Sequence, residues 1–268
     1  MIQKTLLQGL ILILSFVAVW FALSQVDFVK LFNIEQTTAN TEEKLGDLLW
    51  EAIQKTETII HDKEIIKPID SLVSHLAKKN GIDRESIKLH IVQKDEINAF
   101  AMPGNHLVLY TGLIADCENE SELAGVLGHE IAHIEKNHVM KKLVKEVGLS
   151  VLISMATGGR NSQTIHETVK LLSSSAYDRR LETEADMTSV DYLIKANLDA
   201  NEFANFMFKM GMNNDAPDAF YYISTHPDSE ERAKAIIENI KDKKYVKKPF
   251  LTAKQWESLK ENASKNKD

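Results

Sequence analysis

"GVLGHEIAHIEKNH", residues 125–138, places His129 and His133 four positions apart with Glu130 directly after the first. In an α-helix, residues four apart differ by about 40° in azimuth and stack on one face, so both imidazoles can address a single point. Zinc accepts neutral imidazole nitrogen at ~2.0–2.1 Å and, for catalysis, takes three protein ligands plus an open position. Glu130 lies about 100° further round, where a carboxylate reaches water on the ion instead of the ion itself. The competing reading is a run of polar residues on an ordinary helix, and a third ligand decides between them.

The metzincin spacing would need glycine at 136 and histidine at 139, where the chain has Lys136 and Val139. His138 misses that position by one and reads as a polar neighbour on the same helix. A second helical stretch, "RRLETEADMTSVDYL" from Arg179 to Leu193, is a better source. Glu182 and Asp186 are four apart and share a face. Glu182 can ligate zinc, and Asp186 can accept an N–H from a ligand histidine and fix its tautomer. A solvated acidic helix face is the alternative for this pair.

The rest of the chain narrows the function classes. Its 268 residues, 44% hydrophobic and 26% charged, suit one sizeable globular domain with an appendage. A formal net charge of −7 offers no basic field for nucleic acid. Lys241 to Lys248, with Asp242 inside it, reads as solvated surface. Cys117 is the single cysteine, which excludes an intrachain disulfide and a zinc site built on several thiolates. No Ser-His or phosphate-cradling pattern points to another hydrolase class.

"LLQGLILILSFVAVWFAL", Leu6 to Leu23, is uncharged and about long enough to cross a hydrocarbon core of ~30 Å. It reads as a membrane anchor, with a cleaved signal peptide as the alternative. Either way the remainder is expected to be exported; in a bacterial envelope that means a single-pass protein with its domain in the periplasm, or one released there. The expected organisation is 1–33 anchor or signal, 34–44 polar linker, 45–245 the domain carrying the metal motif and 246–268 a polar, helical tail. Helical periodicity is expected over Leu45–Ile53 and Ile69–Ala77, with Pro68 early in the second helix and Gly81 ending it. "SIKLHIVQ" and "HLVLYTG" read as strands around a Pro103-Gly104 turn, so the fold class is α+β, mainly helical, with a small early sheet. Asn119 and Glu122 have capping-box spacing at the start of the His129 helix, as do Asp228 and Glu231 further on. Gly125 and Gly128 are costly in a helix and imply close approach by a neighbouring element. "VGLSVLISMA", Val147 to Ala156, is too short to span a bilayer and reads as a buried core helix.

HEIAH followed by ETEAD resembles the HtpX-like, Oma-like and CAAX-prenyl-protease-related family of gluzincin zinc peptidases, in a single-span bacterial exported form. Three further segments carry the resemblance. "NAFAMPGNHLVLYTGL", Asn98 to Leu113, is similar to the family's strand and turn beside the cleft. "YDRRLETEAD" matches its Y-x-R-x-x-E-x-E-A-D run, with Arg179 in the arginine position. "STHPDSEERAKAI" resembles its T-H-P-x-x-x-x-R motif, giving His226 and Arg232. The resemblance implies a zincin-like domain holding one Zn2+ on His129, His133 and Glu182, with Glu130 as general base. It also implies that His226 faces the metal, either stabilising the oxyanion with Arg232 or plugging a resting site, and that Asp186 and Arg179 support the ligands. Asn105, Ser189 and Asn197 depart from glycines common in the family. Substrates would be unfolded or misfolded polypeptides, adding an extended strand near Asn98, Ala99 and Phe100. A membrane-tethered chaperone or scaffold with a structural or gated zinc site is the second expectation, against which Glu130 argues.

Overall fold

The computed structural model describes residues 34–159, 161–212, 222, 224 and 225–265, and divides the chain into Met1–Thr41 and Glu42–Asp268. The apolar stretch Leu6–Leu23 lies outside the described residues. Among those described, no helix is long and apolar enough to cross a membrane.

Helix α1 (Ile34–Thr56) leads into β1 (Thr58–Ile59), helix α2 (Lys63–Asn80), one 3-10 turn (Arg84–Ser86), β2 (Lys88–Gln93), β3 (Ala99–Met102) and β4 (His106–Tyr110). Helices follow: α3 (Thr111–Asp116), α4 (Glu120–Glu135), α5 (His138–Glu146), α6 (Leu149–Ala156), α7 (Ser162–Ser174), α8 (Arg179–Lys195), α9 (Ala200–Met212), α10 (Ser229–Ile240) and α11 (Ala253–Lys265). This is the mainly helical α+β arrangement that the sequence implies.

The four strands form one sheet in the order β1-β2-β4-β3. β2 and β4 run parallel, pairing Lys88 with His106, while β1 and β3 flank them antiparallel. The β3–β4 turn works because Gly104 and Asn105 both take positive φ, 67° and 61°. Asparagine tolerates that conformation, which explains how Asn105 and, at φ 59°, Asn197 stand where glycine is common.

Helix α4 is buried from Glu120 to Ile134 and runs through the centre of the domain. Its start is capped as the spacing predicts: Asn119 Oδ1 accepts from the amides of Ser121 and Glu122, both at 3.0 Å. Glu122 reaches back to the Glu118 amide at 2.8 Å, one residue beyond the position a capping box would give it. The glycines let neighbours close in. A Cβ on Gly125 would stand 2.5 Å from Phe203 Cβ of α9, and one on Gly128 would stand 2.8 Å from Ser189 Oγ of α8. Ser189 uses that proximity to donate to Gly125 O at 2.7 Å, so α4 and α8 pack tightly despite the missing glycine.

Three of four further expectations need correction. Residues 34–44, expected as a linker, are helical, because no proline or glycine interrupts a stretch that continues into buried Leu45, Leu49 and Ile53. Helix α2 agrees with its expectation: it begins at Lys63 with Asp62 as cap, holds Pro68 early in its length and ends at left-handed Gly81. Helix α6 is not wholly buried: Leu152 and Met155 face the core, while Leu149 is 49% and Ile153 40% exposed. The C-terminal tail belongs to the core, since α11 buries Trp256, Leu259 and Ala263, and the Trp256 indole donates to Glu118 O at 2.9 Å.

Candidate metal centre

Helices α4 and α8 bring the predicted ligands to one point. His129 Nε2 and His133 Nε2 are 3.0 Å apart. Glu182 Oε2 lies 3.5 Å from the first nitrogen, and its Oε1 lies 3.5 Å from the second. A tetrahedral ion with bonds of ~2.0–2.1 Å holds its ligand atoms roughly 3.3–3.4 Å apart, so this spacing fits zinc. Glu182 Oε1 is buried without a hydrogen-bond partner, as befits a donor atom reserved for an ion. All three residues are buried.

Asp186 Oδ1 stands 3.0 Å from His129 Nδ1, an ion-pair contact on the opposite edge of the ring from the Nε2 that faces His133 and Glu182. Burial opposes charge on His129, but the Asp186 and Glu182 carboxylates outweigh it and raise the imidazole to about 9. His133 goes the other way, driven well down by burial. Glu130 is fully buried; its Oε2 accepts from the Ala101 amide at 2.9 Å, and burial pushes the carboxyl up to about 7.

His226 enters from the segment preceding α10. Its Nδ1 is 3.0 Å from Glu182 Oε2 and its Nε2 is 3.5 Å from Glu130 Oε1. Burial lowers it to about 4. With His226 in this position the centre is closed: His129, Glu130 and His133 are 0% exposed, Glu182 1% and His226 2%.

Other predicted residues fall differently. Arg232 does not point into open space. Its Nε and Nη2 donate to the two oxygens of Asp186 at 2.7 and 2.6 Å, and Nη1 meets Glu182 Oε2 at 2.6 Å. Arg179 touches no ligand; it is 76% exposed and pairs with Asp228 at 2.7 Å. Asp228 therefore does not cap α10: it sits in the left-handed region at φ 60° with no side-chain cap bond, and its carboxylate goes to Arg179. β3 is an edge strand, but its outer side meets α4 and α7, and Asn98, Ala99 and Phe100 are buried. The Asn98 amide is engaged with Ser173 O at 2.9 Å.

Two contacts escaped the sequence reading. Tyr177 stacks on His133 with ring centroids 3.9 Å apart at 17°. His138 does not continue the α4 face but opens α5 and meets His133, its Nδ1 3.0 Å from that residue's Nδ1. Tyr177 was visible only as the first letter of a motif, and His138 needed the α4–α5 break to be foreseen.

Residues 66–240 match the family model for peptidase family M48. The chain belongs to peptidase family M48. It is similar to the beta-barrel assembly-enhancing protease of Yersinia pestis, 26% identical over 81% of this chain and 47% of the relative. It also resembles the mitochondrial metalloendopeptidase OMA1 of Arabidopsis thaliana, 25% identical over 74% of this chain and 40% of the relative. The Schizosaccharomyces pombe protein of the same name is 28% identical over 64% and 53% respectively. The chain thus spans about half the length of the curated relatives it matches. Membership of M48 and the His/His/Glu cluster together class it with the zinc metalloendopeptidases.

Proposed function

We infer that this M48 chain is a zinc-dependent endopeptidase for unfolded or misfolded polypeptides of a bacterial cell envelope. The observation that carries the reading is the convergence of His129, His133 and Glu182 at 3.0 and 3.5 Å with the Glu130 carboxylate buried beside them. One zinc held by those three residues would supply a Lewis acid, bringing the pKa of water near ~7 and polarising the scissile carbonyl. Glu130 takes the proton of the attacking water and passes it to the leaving amine. Asp186 keeps His129 in its ligating tautomer, and Arg232 holds Asp186 and Glu182 in place.

His226 contacts both Glu130 and Glu182, which supports a resting, closed role over a free oxyanion donor. An extended substrate would enter along β3 near Asn98, Ala99 and Phe100 only after that edge is uncovered, so basal turnover should be low. The envelope setting rests on the uncharged stretch Leu6–Leu23, read as an anchor or signal, and on likeness to a protein named for β-barrel assembly.

The test is hydrolysis of unfolded casein by the zinc-loaded full chain beside Glu130→Gln and His226→Ala. Cleavage by the parent, its loss in Glu130→Gln by about 100-fold or more, and a gain in His226→Ala are expected. A chaperone or scaffold would bind casein equally well in all three forms and cleave it in none.

A further inference from the structure

The reaction above leaves His138 without a role, although it is buried and meets a metal-facing histidine. Helix α4 stops at Glu135, and Asn137 takes the left-handed conformation, φ 55° and ψ 30°. That reversal starts α5 at His138 and turns its ring back on His133, with ring centroids 5.0 Å apart at 68°. Two ring nitrogens 3.0 Å apart share a hydrogen bond only when one donates and the other accepts.

The direction follows from the opposite edge of His133. Its Nε2 is the nitrogen that faces His129 and Glu182, so a neutral ligating ring carries its proton on Nδ1. His138 Nδ1 must then accept, which puts the His138 proton on Nε2. That nitrogen faces Glu184 Oε2 at 3.5 Å, and Glu184 is itself paired with Lys136 at 3.6 Å. One set of tautomers serves the His138–His133 hydrogen bond and turns the His138 Nε2–H toward the Glu184 carboxylate, which attracts it as a charge without a hydrogen bond. Tyr177 meanwhile fixes the face of the His133 ring, and the Lys142 ammonium sits 4.4 Å above the Tyr177 ring.

We propose that His138 is a positioning residue for His133, holding it in the tautomer and orientation that bind metal, with Glu184 as its outer anchor. His129 and His133 are thereby oriented by different partners: a carboxylate, Asp186, for the first and a second imidazole for the other. The proposal rests on the reading of His133 as a zinc ligand.

The experiment measures zinc affinity of the full chain by competition with a chromogenic chelator, and the visible spectrum of its cobalt(II) form. His138→Phe keeps the ring volume but has no acceptor; His138→Asn keeps an acceptor oxygen near the position of Nδ1. The expected result is a loss of about 10–100-fold in zinc affinity and an altered cobalt spectrum for His138→Phe. His138→Asn recovers most of the affinity, and Glu184→Gln, at an exposed position, loses a smaller factor. A purely structural role would lower the melting temperature of the zinc-free protein while leaving affinity and spectrum at parental values, and would overturn the proposal. So would equal losses in the Phe and Asn variants. His133→Ala runs beside them: if it binds zinc like the parent, the metal reading itself falls, whereas tight binding in the His138 variants and none in His133→Ala sinks the positioning role alone.

Discussion

Arg232 commits three guanidinium nitrogens to Asp186 and Glu182 at 2.6–2.7 Å, and all three residues are buried. Removing one partner of such a group leaves buried charge uncompensated and costs about 3–5 kcal/mol. Arg232→Met should therefore lower the melting temperature of the zinc-free protein by several degrees. A residue acting only as an oxyanion donor would lower kcat at an unchanged melting temperature, so calorimetry beside kinetics separates the roles. The sequence showed that an arginine follows His226 but not where it points, because Asp186 and Arg232 are distant along the chain. Gly125 is the opposite case, a residue whose environment the sequence did suggest. A methyl there meets Phe203 at 2.5 Å, and overpacking of that kind costs roughly 1–3 kcal/mol, more than the ~1 kcal/mol that alanine gains in helix propensity. Gly125→Ala is expected to lower the melting temperature, and a rise would show that α9 can retreat at little cost.

At the scale of elements, α1 and the sheet meet through a histidine pair that is not part of the candidate metal centre. Trp50 of α1 stacks on His90 of β2 at 3.7 Å, His90 Nε2 is 2.9 Å from His106 Nδ1 of β4, and His106 Nε2 is 3.2 Å from Asp47. Burial, with Lys88 nearby, lowers His90 to about 3 and His106 to about 4 from 6.5. Because the folded values lie below the unfolded one, their contribution to stability is present above pH 6.5 and is lost as pH falls from there toward 4. His90→Phe keeps the stack on Trp50 but removes one titrating group. Melting temperatures of the zinc-free proteins between about pH 7.5 and pH 4.5 should fall less steeply for the variant than for the parent. Parallel curves would mean that the acid sensitivity lies elsewhere. Elements of this kind mark the limit of what the sequence offers. Asn119 and Gly81 announced helix ends by local chemistry, and the strand runs announced a sheet. That α11 closes over α2 and α3 depends on long-range buried contacts such as Trp256 with Glu118, which no local pattern encodes.

Across the whole domain, the proposed ligands tie α4 to α8, whose tight packing Ser189 and Gly128 already require. Without an ion, the same space buries the Glu130, Glu182 and Asp186 carboxylates beside the Arg232 guanidinium. An ion that binds the folded state alone stabilises it by RT ln(1 + [L]/Kd), about 2.7 kcal/mol at a hundredfold excess over Kd. For a domain of this size each kcal/mol moves the melting temperature by roughly 2–4 °C, so chelation should lower it by about 5–11 °C. The pattern across variants carries more weight than the size of the shift. Glu130 is the proposed base beside the proposed ligands, so Glu130→Gln should keep the full zinc-dependent shift while losing turnover. His133→Ala and Glu182→Gln should lose the shift together with turnover. If Glu130→Gln loses the shift as well, the carboxylate is holding the metal, and the division of labour between Glu130 and Glu182 would have to be reversed.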